Sequence, residues 1–353
     1  MNQVEYNLHI KSKEPLTPPD EIFSLYPATP QIKSVIEKGR NEIRTILSAS
    51  DKQERRLIVV CGPCSIHSPK EALEYAKMLS KMQGEFEQHL LLVMRCYFEK
   101  PRTVIGWKGL IYDPDLNGSY DLEKGIRIAR ELLCNLASTG IYPGTEILDP
   151  ILTQYIADMV CWAAIGARTT ESQTHRQLAS GLSMPVGFKN ATNGNIQVAI
   201  DAIQAAMNEH TFLGVLRNGQ TGIFRTTGNP DCHVILRGGF DQPNYTSEWI
   251  AYVREKLRKA NLPLNIFVDC SHANSQKDYK KQRLVAEDIA NQIKNGCSSI
   301  VGIMLESNIN CGAQSIVPGN ELSLRQGVSI TDGCIGIDET YEILKMLYEA
   351  KSK

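Results

Sequence analysis

From about residue 56 onward, the chain repeats one pattern, in which a short apolar run is followed by a segment with helical periodicity. The apolar runs have strand length and are nearly continuous, as expected for strands buried on both faces. Strands that alternate with helices build parallel sheets. The candidate strands are Leu57–Cys61, Leu90–Cys96, Gly144–Leu148, Trp162–Ala167, Pro185–Lys189, Val234–Leu236, Ile266–Asp269 and Ile300–Leu305. Eight such units predict an α/β fold, a closed (β/α)8 or TIM barrel.

Two segments lie outside this repeat. Residues 1–55 contain a proline-rich stretch and one helix-like segment, Ile32–Leu47, and we interpret them as an N-terminal extension. Residues 211–228 contain two β-rich pieces around Asn218-Gly219, a strong hairpin signal. The sequence therefore predicts an extension over 1–55 and a barrel over 56–353, with a β-hairpin inserted between repeats five and six.

Charge and composition exclude several classes of protein. The chain has 38 Lys and Arg against 39 Asp and Glu, so its net charge of −1 favours neither nucleic acid nor a membrane surface as a partner. No apolar run approaches the roughly 18 residues that a membrane span needs. Charged residues near the N-terminus argue against a secretion signal, and ten irregularly spaced cysteines suggest reduced thiols. We expect a cytoplasmic protein.

Several predicted strands end in residues that could bind a metal ion. Reactive groups of a (β/α)8 barrel lie at the carboxyl ends of its strands. Cys64, His272 and Glu306 follow or end strands one, seven and eight, and Asp332 lies in the last loop. Each residue alone could be structural, but these segments are neighbours in a closed barrel. A thiolate, an imidazole and two carboxylates suit a divalent transition metal.

The same predicted rim carries cations, which are Arg95, Arg102, Arg168, Lys189 and Arg237. Arginine binds phosphate and carboxylate through paired hydrogen bonds. The cluster indicates either two phosphorylated ligands or one ligand with both a phosphate and a carboxylate. The chain has neither a Walker A motif nor a dinucleotide fingerprint, so we predict no nucleotide cofactor.

Short motifs along nearly the whole chain resemble the type I 3-deoxy-D-arabino-heptulosonate 7-phosphate (DAHP) synthases. That family condenses phosphoenolpyruvate with erythrose 4-phosphate in the first step of the shikimate pathway to chorismate and the aromatic amino acids. The matching motifs are Gly62-Pro63-Cys64-Ser65-Ile66-His67, Lys100-Pro101-Arg102-Thr103, Gly106-Trp107-Lys108-Gly109-Leu110, Gly166-Ala167-Arg168-Thr169-Thr170-Glu171-Ser172-Gln173, Pro185-Val186-Gly187-Phe188-Lys189-Asn190, Ile235-Leu236-Arg237-Gly238-Gly239, Ser271-His272-Ala273-Asn274 and Ser329-Ile330-Thr331-Asp332.

The resemblance implies a role for each strand-end residue. One divalent ion per subunit, Mn, Fe, Co or Zn, would be bound by Cys64, His272, Glu306 and Asp332. Phosphoenolpyruvate would contact Arg95, Arg168, Lys189 and Arg237, and erythrose 4-phosphate would contact Lys100, Arg102 and Thr103. The catalytic residues would be Lys189, Glu146, Cys64 and His272. Either Glu146 or Lys189 could serve as acid or base when water adds, and the sequence leaves that choice open.

The resemblance also implies feedback inhibition by an aromatic amino acid and a homodimer or homotetramer. In the family, the N-terminal extension and the hairpin form the inhibitor pocket at a subunit interface. The corresponding residues here are Gln154, Leu178, Leu182, Ser183, Phe212 and Gly214. Related chains with Ser at the position of Gly214 have a smaller pocket, so glycine favours tyrosine over phenylalanine.

Three alternatives remain at this point. The chain could be a related synthase that makes an eight- or nine-carbon sugar acid from phosphoenolpyruvate, although the Lys100-Pro101-Arg102-Thr103 motif argues against it. It could be an amino-acid-sensing barrel without turnover. Finally, Cys61-x-x-Cys64 could be a thiol-disulfide motif, but Gly62-Pro63 is predicted at a strand end rather than at the start of a redox helix.

Overall fold

The computed structural model describes residues 7–48, 54–240, 242–316 and 323–352. Its strands are β1 (Leu57–Gly62), β2 (Leu90–Arg95), β3 (Tyr142–Glu146), β4 (Trp162–Ile165), β5 (Val186–Lys189), β6 (Thr211–Val215), β7 (Thr221–Arg225), β8 (Cys232–Leu236), β9 (Ile266–Asp269) and β10 (Ile300–Glu306). Eight of them form a closed barrel in the order β1-β10-β9-β8-β5-β4-β3-β2, with parallel pairing throughout. The predicted (β/α)8 barrel is confirmed.

Helices surround this barrel. They are α1 (Pro19–Leu25), α2 (Pro30–Ser48), α3 (Pro69–Phe86), α4 (Leu122–Ser138), α5 (Thr153–Ile156), α6 (Gln173–Ala179), α7 (Gln197–Ala206), α8 (Ser247–Lys259), α9 (Gln282–Lys294) and α10 (Ile337–Lys351). The start of α3 shows why the sequence specifies its position: Ser68 Oγ accepts a hydrogen bond from the Glu71 amide at 3.3 Å, and Pro69 occupies the first turn. Within the ranges given above, no helix is both long and apolar enough to cross a membrane.

Aromatic side chains fill the end of the barrel where the strands begin. Trp162 and Phe267 stack with ring centroids 5.8 Å apart, and the ring of His233 lies 4.3 Å from that of Phe267. The Trp162 indole donates to His233 Nε2 at 3.1 Å. These residues come from the amino-terminal halves of β4, β8 and β9, so they close the end of the barrel opposite the strand-end site.

The limits of β3 differ from the sequence prediction. The strand runs from Tyr142 to Glu146 rather than from Gly144 to Leu148. Pro143 breaks a strand pattern because it lacks an N–H donor. In the barrel, however, its carbonyl still accepts a hydrogen bond from the Cys161 amide at 2.8 Å, and β3 continues through it.

The insertion between β5 and β8 is the predicted antiparallel hairpin, formed by β6 and β7. The N-terminal segment contains more helix than expected: α2 is the one predicted helix, and the proline-rich stretch before it forms α1. Proline is compatible with the first helical turn, where its missing N–H has no partner to lose. Pro19 begins α1 in this way.

Helix α1 is attached to both the hairpin and the barrel. The Asp20 carboxylate lies 2.7 Å from the Arg217 guanidinium, and the Asp20 amide donates to the Arg217 carbonyl at 2.9 Å. Arg130 of α4 donates to the Tyr26 carbonyl at 3.3 Å and lies 4.0 Å above the Phe23 ring. The extension therefore connects the hairpin tip to a helix of the barrel.

Candidate active site

The carboxyl ends of the barrel strands surround a cavity of about 290 Å³. Side chains from six of the eight barrel strands or the loops after them reach it, together with the final loop. The lining residues are Lys100, Pro101, Arg102, Thr103, Val104, Ile105, Glu146, Gly166, Ala167, Arg168, Lys189, Thr192, Arg237, His272 and Asp332. Five of these are permanent or near-permanent cations, which makes the cavity suited to anions.

Three of the four predicted metal ligands converge beside the cavity. Donor atoms of Cys64, Glu306 and Asp332 all lie within 4.8 Å of one another. The Cys64 thiol lies 3.7 Å from Asp332 Oδ2. His272 Nε2 lies 3.9 Å from Glu306 Oε1, although His272 falls outside the 4.8 Å group. A sulfur, two carboxylates and an adjacent imidazole fit a divalent first-row transition metal.

The backbone between Cys61 and Cys64 turns sharply to bring the thiol to this point. Gly62 has φ of +149°, and a Cβ there would lie 3.1 Å from the backbone nitrogen of Arg95. Only glycine allows this close approach of β1 and β2 without strain. The glycine thus places Cys64 directly over the strand ends.

Glu306 is ionised although it is wholly buried. Burial raises the pKa of its carboxyl, but His272, Arg95 and Lys100 outweigh that effect and lower the pKa to about 2. Oε1 accepts from Arg95 at 3.1 Å and Oε2 accepts from Ser271 Oγ at 2.8 Å. Such a carboxylate is fixed in orientation and charged at every physiological pH.

Cys64 has the opposite tendency in the protein alone. Burial raises the pKa of its thiol to about 11, against the attraction of Lys100, whose Nζ lies 3.0 Å from Sγ. A bound cation deprotonates a coordinating thiol. The thiolate of Cys64 therefore depends on a metal ion at this site.

Comparison with known proteins decides the family. The family model described as DAHP synthetase I family matches residues 40–345. The chain belongs to this family. A tyrosine-inhibited phospho-2-dehydro-3-deoxyheptonate aldolase of Schizosaccharomyces pombe is 52% identical over 338 residues, covering 95% of this chain and 90% of the relative. A Phe-sensitive aldolase of the same name from Escherichia coli is 49% identical over 350 residues, or 99% and 98%.

A solved structure of the same family has the same fold. The phospho-2-dehydro-3-deoxyheptonate aldolase of Francisella tularensis SCHU S4 superposes with a TM-score of 0.94 at 47% identity, covering 97% of this chain and 98% of that one. Because the match covers almost the full length of both chains, it extends beyond the barrel repeats.

Within this DAHP synthetase I family member, Arg95 stands apart from the other predicted substrate contacts. It is wholly buried and is not among the cavity-lining residues. Its guanidinium donates to Glu306, to the Pro63 carbonyl at 3.3 Å and to Met304 Sδ at 2.8 Å. The Tyr97 ring lies 3.9 Å from it. In this structure Arg95 therefore directly supports Glu306, one of the predicted metal ligands.

The remaining predicted substrate residues line the cavity. Arg168 is exposed, and Arg237 is partly buried, which lowers the pKa of its guanidinium. Arg102 and Thr103 are exposed, and Arg102 Nε donates to the Trp107 carbonyl at 2.8 Å. The guanidinium groups of Arg102, Arg168 and Arg237 therefore lie in the open part of the cavity rather than in the barrel core.

Asp269 received no role from the sequence, although it lies among these groups. It is wholly buried at the end of β9, and its Oδ2 lies 2.9 Å from Lys189 Nζ and 2.8 Å from His272 Nδ1. Burial opposes ionisation, but His272 and Lys189 hold the pKa of its carboxyl well below the usual range. An acid three residues before a candidate ligand, at the end of an apolar strand, was the available signal.

A second cavity, of about 590 Å³, lies between the hairpin and the barrel helices. Five of the six predicted inhibitor residues line it, namely Gln154, Leu178, Leu182, Ser183 and Phe212. Gly214 does not, but a Cβ there would lie 2.8 Å from the Phe224 ring, which does line the cavity. A side chain at position 214 would therefore press on Phe224 in the wall of this second cavity.

The thiol-disulfide alternative has little structural support. Cys61 is wholly buried in β1, and burial raises the pKa of its thiol to about 12. A redox cysteine needs a lowered pKa and access to solvent. Cys61 has neither property.

Proposed function

We propose that this chain condenses phosphoenolpyruvate with erythrose 4-phosphate and water, giving DAHP and inorganic phosphate. One observation carries the proposal: a cavity lined by cations ends beside the donor atoms of Cys64, Glu306 and Asp332. A new bond joins C3 of phosphoenolpyruvate to the aldehyde carbon of the sugar. Water adds at C2, and phosphate leaves with the oxygen of the C–O bond that breaks.

The cations bind and orient two anionic substrates that would otherwise repel each other. Arg168, Lys189 and Arg237 would bind phosphoenolpyruvate. Arg95, the fourth predicted contact, is wholly buried and would support the site by holding the Glu306 carboxylate. Lys100, Arg102 and Thr103 take erythrose 4-phosphate. Fixing both reactants in one cavity converts a bimolecular encounter into a reaction between neighbours, and the fixed charges stabilise developing negative charge.

Cys64, His272, Glu306 and Asp332 would hold one divalent ion, either Mn, Fe, Co or Zn, which supplies a Lewis acid that polarises the aldehyde oxygen. Glu306 is already ionised, and Arg95 and Ser271 hold it in place. Either Glu146 or Lys189 would act as the acid or base that moves the proton when water adds at C2. Both line the cavity, and both are largely buried.

We also propose that tyrosine inhibits the enzyme by binding in the second cavity, between the hairpin and the barrel helices, within a homodimer or homotetramer. Relatives named for tyrosine and for phenylalanine match this chain almost equally well. The choice of tyrosine therefore rests on Gly214. Because this residue has no side chain, the Phe224 ring can lie against the strand, and we propose that this leaves room in the cavity for the phenolic oxygen of tyrosine. Residues 1–55 and the hairpin would serve oligomerisation and regulation.

An assay with two sugar phosphates tests the proposed reaction. The purified chain, supplied with a divalent metal and phosphoenolpyruvate, is given either erythrose 4-phosphate or arabinose 5-phosphate, and product mass and released phosphate are measured. We expect one phosphate per seven-carbon product with erythrose 4-phosphate. Turnover of arabinose 5-phosphate instead would favour the eight-carbon synthase, and no turnover of either would favour a sensing barrel.

A further inference from the structure

One carboxylate oxygen lies between the two halves of the proposed site. Asp269 Oδ2 contacts both Lys189 Nζ, at 2.9 Å, and His272 Nδ1, at 2.8 Å. Its other oxygen, Oδ1, accepts from the Ser271 amide at 3.0 Å. No solvent reaches Asp269, so its carboxylate oxygens depend on these neighbours for their hydrogen bonds and short polar contacts.

The backbone conformation fixes the position of the His272 Cα atom but not the orientation of its imidazole ring. Its φ of +56° lies in the left-handed region, and its carbonyl accepts from the Lys277 amide at 2.7 Å. Nδ1 lies 2.8 Å from Asp269 Oδ2, although its N–H is not aligned for a hydrogen bond to that oxygen, and the other ring nitrogen faces Glu306 Oε1, 3.9 Å away. A carboxylate this close to Nδ1 favours the tautomer that carries its proton on Nδ1, which leaves the Nε2 lone pair free for a metal ion.

Lys189 depends on the same oxygen. Its ammonium group is buried at the end of β5, and Asp269 is the acid within salt-bridge distance among the described residues. A buried ammonium is costly without a paired charge. The contact therefore holds Lys189 at one place in the cavity wall, beside the cations assigned to phosphoenolpyruvate.

We propose that Asp269 is a positioning residue that orients His272 toward the metal and Lys189 toward phosphoenolpyruvate through a single oxygen. This inference rests on the proposed function, because that function assigns the tasks of His272 and Lys189. Asp269 is not among the residues that line the cavity, so it would set the relative positions of His272 and Lys189 rather than contact a substrate.

Titration of metal-free protein with Co²⁺ tests the inference without reference to turnover. The dissociation constant is measured by chelator competition, and visible absorption reports the ligand set of the bound ion. We expect Asp269→Asn to weaken Co²⁺ binding by about 10- to 100-fold and to alter the absorption bands, as loss of a histidine-orienting carboxylate does. Glu146→Gln removes a negative charge from the same cavity without a contact to His272, and it should change the constant by less than about threefold.

A second pair of variants covers the case in which Asp269→Asn leaves Lys189 unpaired and does not fold. Lys189→Met removes that ammonium, and Asp269→Asn is then compared within the Lys189→Met background. The double variant should bind Co²⁺ about 10- to 100-fold more weakly than Lys189→Met alone.

The outcomes separate this inference from the function beneath it. If the wild-type chain fails to bind one Co²⁺, the proposed metal site is wrong and the inference falls with it. If the wild-type chain binds Co²⁺ and both Asp269→Asn comparisons agree within about threefold, the proposed function stands and the positioning role of Asp269 is refuted. An equal loss in Glu146→Gln would also refute it, because net charge alone would then explain the effect.

Discussion

At the scale of single residues, the site combines groups whose ionisation the protein has already set with groups that need a ligand. The Glu306 carboxyl has a pKa of about 2 because His272, Arg95 and Lys100 overcome its burial. Burial raises the pKa of the Cys64 thiol to about 11. The two donors therefore behave differently without metal, and only the thiol must lose a proton when a cation binds.

Residue types and their places at strand ends predicted Cys64, Glu306 and Asp332 as one cluster, and the structure brings their donor atoms together. The side-chain contacts between these and neighbouring residues could not be predicted from the sequence. The contact of Asp269 with both Lys189 and His272 depends on the ring order of β5, β8 and β9 and on side-chain rotamers. Neither can be read from spacing along the chain.

Arg168 offers a direct test of the proposed anion contacts. Arg168→Ala should raise the KM for phosphoenolpyruvate and lower kcat/KM by about 10- to 100-fold, because one or two charge-assisted hydrogen bonds are lost. Steady-state kinetics with each substrate varied in turn measures this. Arg258→Ala, at a solvent-exposed pair with Glu255, is the control and should behave as wild type. An unchanged KM for phosphoenolpyruvate would remove Arg168 from the site.

His233 predicts part of the pH dependence of stability. Burial lowers the pKa of its ring to about 3, whereas an unfolded histidine has a pKa of about 6.5. As pH falls below 6.5, His233 is protonated in the unfolded state but not in the folded state. The free energy of unfolding therefore falls by about 1.4 kcal/mol per pH unit from this group until about pH 3. Above pH 6.5 the ring is neutral in both states and has no such effect.

Urea unfolding at pH 7.5 and pH 5.0 measures this contribution. His233→Gln, which keeps an acceptor for the Trp162 indole, should reduce the difference in unfolding free energy between the two pH values by about 2 kcal/mol. His67, whose pKa burial lowers to about 4, remains in the variant and contributes in the same direction. An identical pH difference in variant and wild type would contradict the assignment.

At the scale of elements, patterns that depend on local chemistry were predictable and those that depend on tertiary contacts were not. Apolar runs predicted all eight barrel strands, and Asn218-Gly219 predicted the hairpin. Helix α1 was missed because its proline-rich sequence lacks an apolar stripe, and its stability comes from contacts with Arg217 and Arg130. Tertiary packing outweighs local propensity in such short helices.

Arg130 should therefore stabilise the extension. Its guanidinium is almost fully buried and donates to the carbonyls of Tyr26 and Tyr155 and to the Asp158 carboxylate. Arg130→Met should lower the free energy of unfolding by about 2 kcal/mol, because the buried Tyr155 carbonyl and the partly buried Tyr26 carbonyl lose a donor. Urea denaturation measures the change, with the exposed Arg258→Met as a control expected to stay within about 0.5 kcal/mol. Equal stability of both variants would show that α1 docks without Arg130.

At the scale of the whole molecule, the extension, the hairpin and the barrel enclose a second cavity on the side of the barrel. The sequence suggested this cavity only through the family resemblance, since no local pattern relates Gln154 of α5 to Phe212 of β6. The structure shows the physical connection: α1 contacts the hairpin at Arg217 and the helix α4 at Arg130. A ligand in this second cavity would contact Phe212 of the hairpin and Asp158, the carboxylate to which Arg130 also donates.

Tyrosine should therefore inhibit the intact chain more strongly than phenylalanine or tryptophan. Coupling between inhibitor and substrate sites of about 1–3 kcal/mol, or about 5- to 150-fold in affinity, is typical of such regulation. Titration of activity with each amino acid, on the intact chain and on one lacking the first 15 residues, tests this. Removal of that segment should weaken inhibition and spare basal turnover. Inhibition by none of the three, or inhibition that truncation leaves untouched, would disprove the proposed pocket.

Turnover should require one divalent ion held by Cys64 and its neighbours, and metal analysis paired with an activity assay measures this requirement. Wild-type chain stripped by a chelator should lose condensation of phosphoenolpyruvate with erythrose 4-phosphate and regain it with about one equivalent of divalent metal per chain. Cys64→Ser should keep the fold, judged by circular dichroism, yet bind metal poorly and stay inactive, because a neutral hydroxyl replaces a thiolate. Full turnover in the stripped protein would show that no metal is required, and wild-type metal content and rate in Cys64→Ser would show that Cys64 is not a ligand.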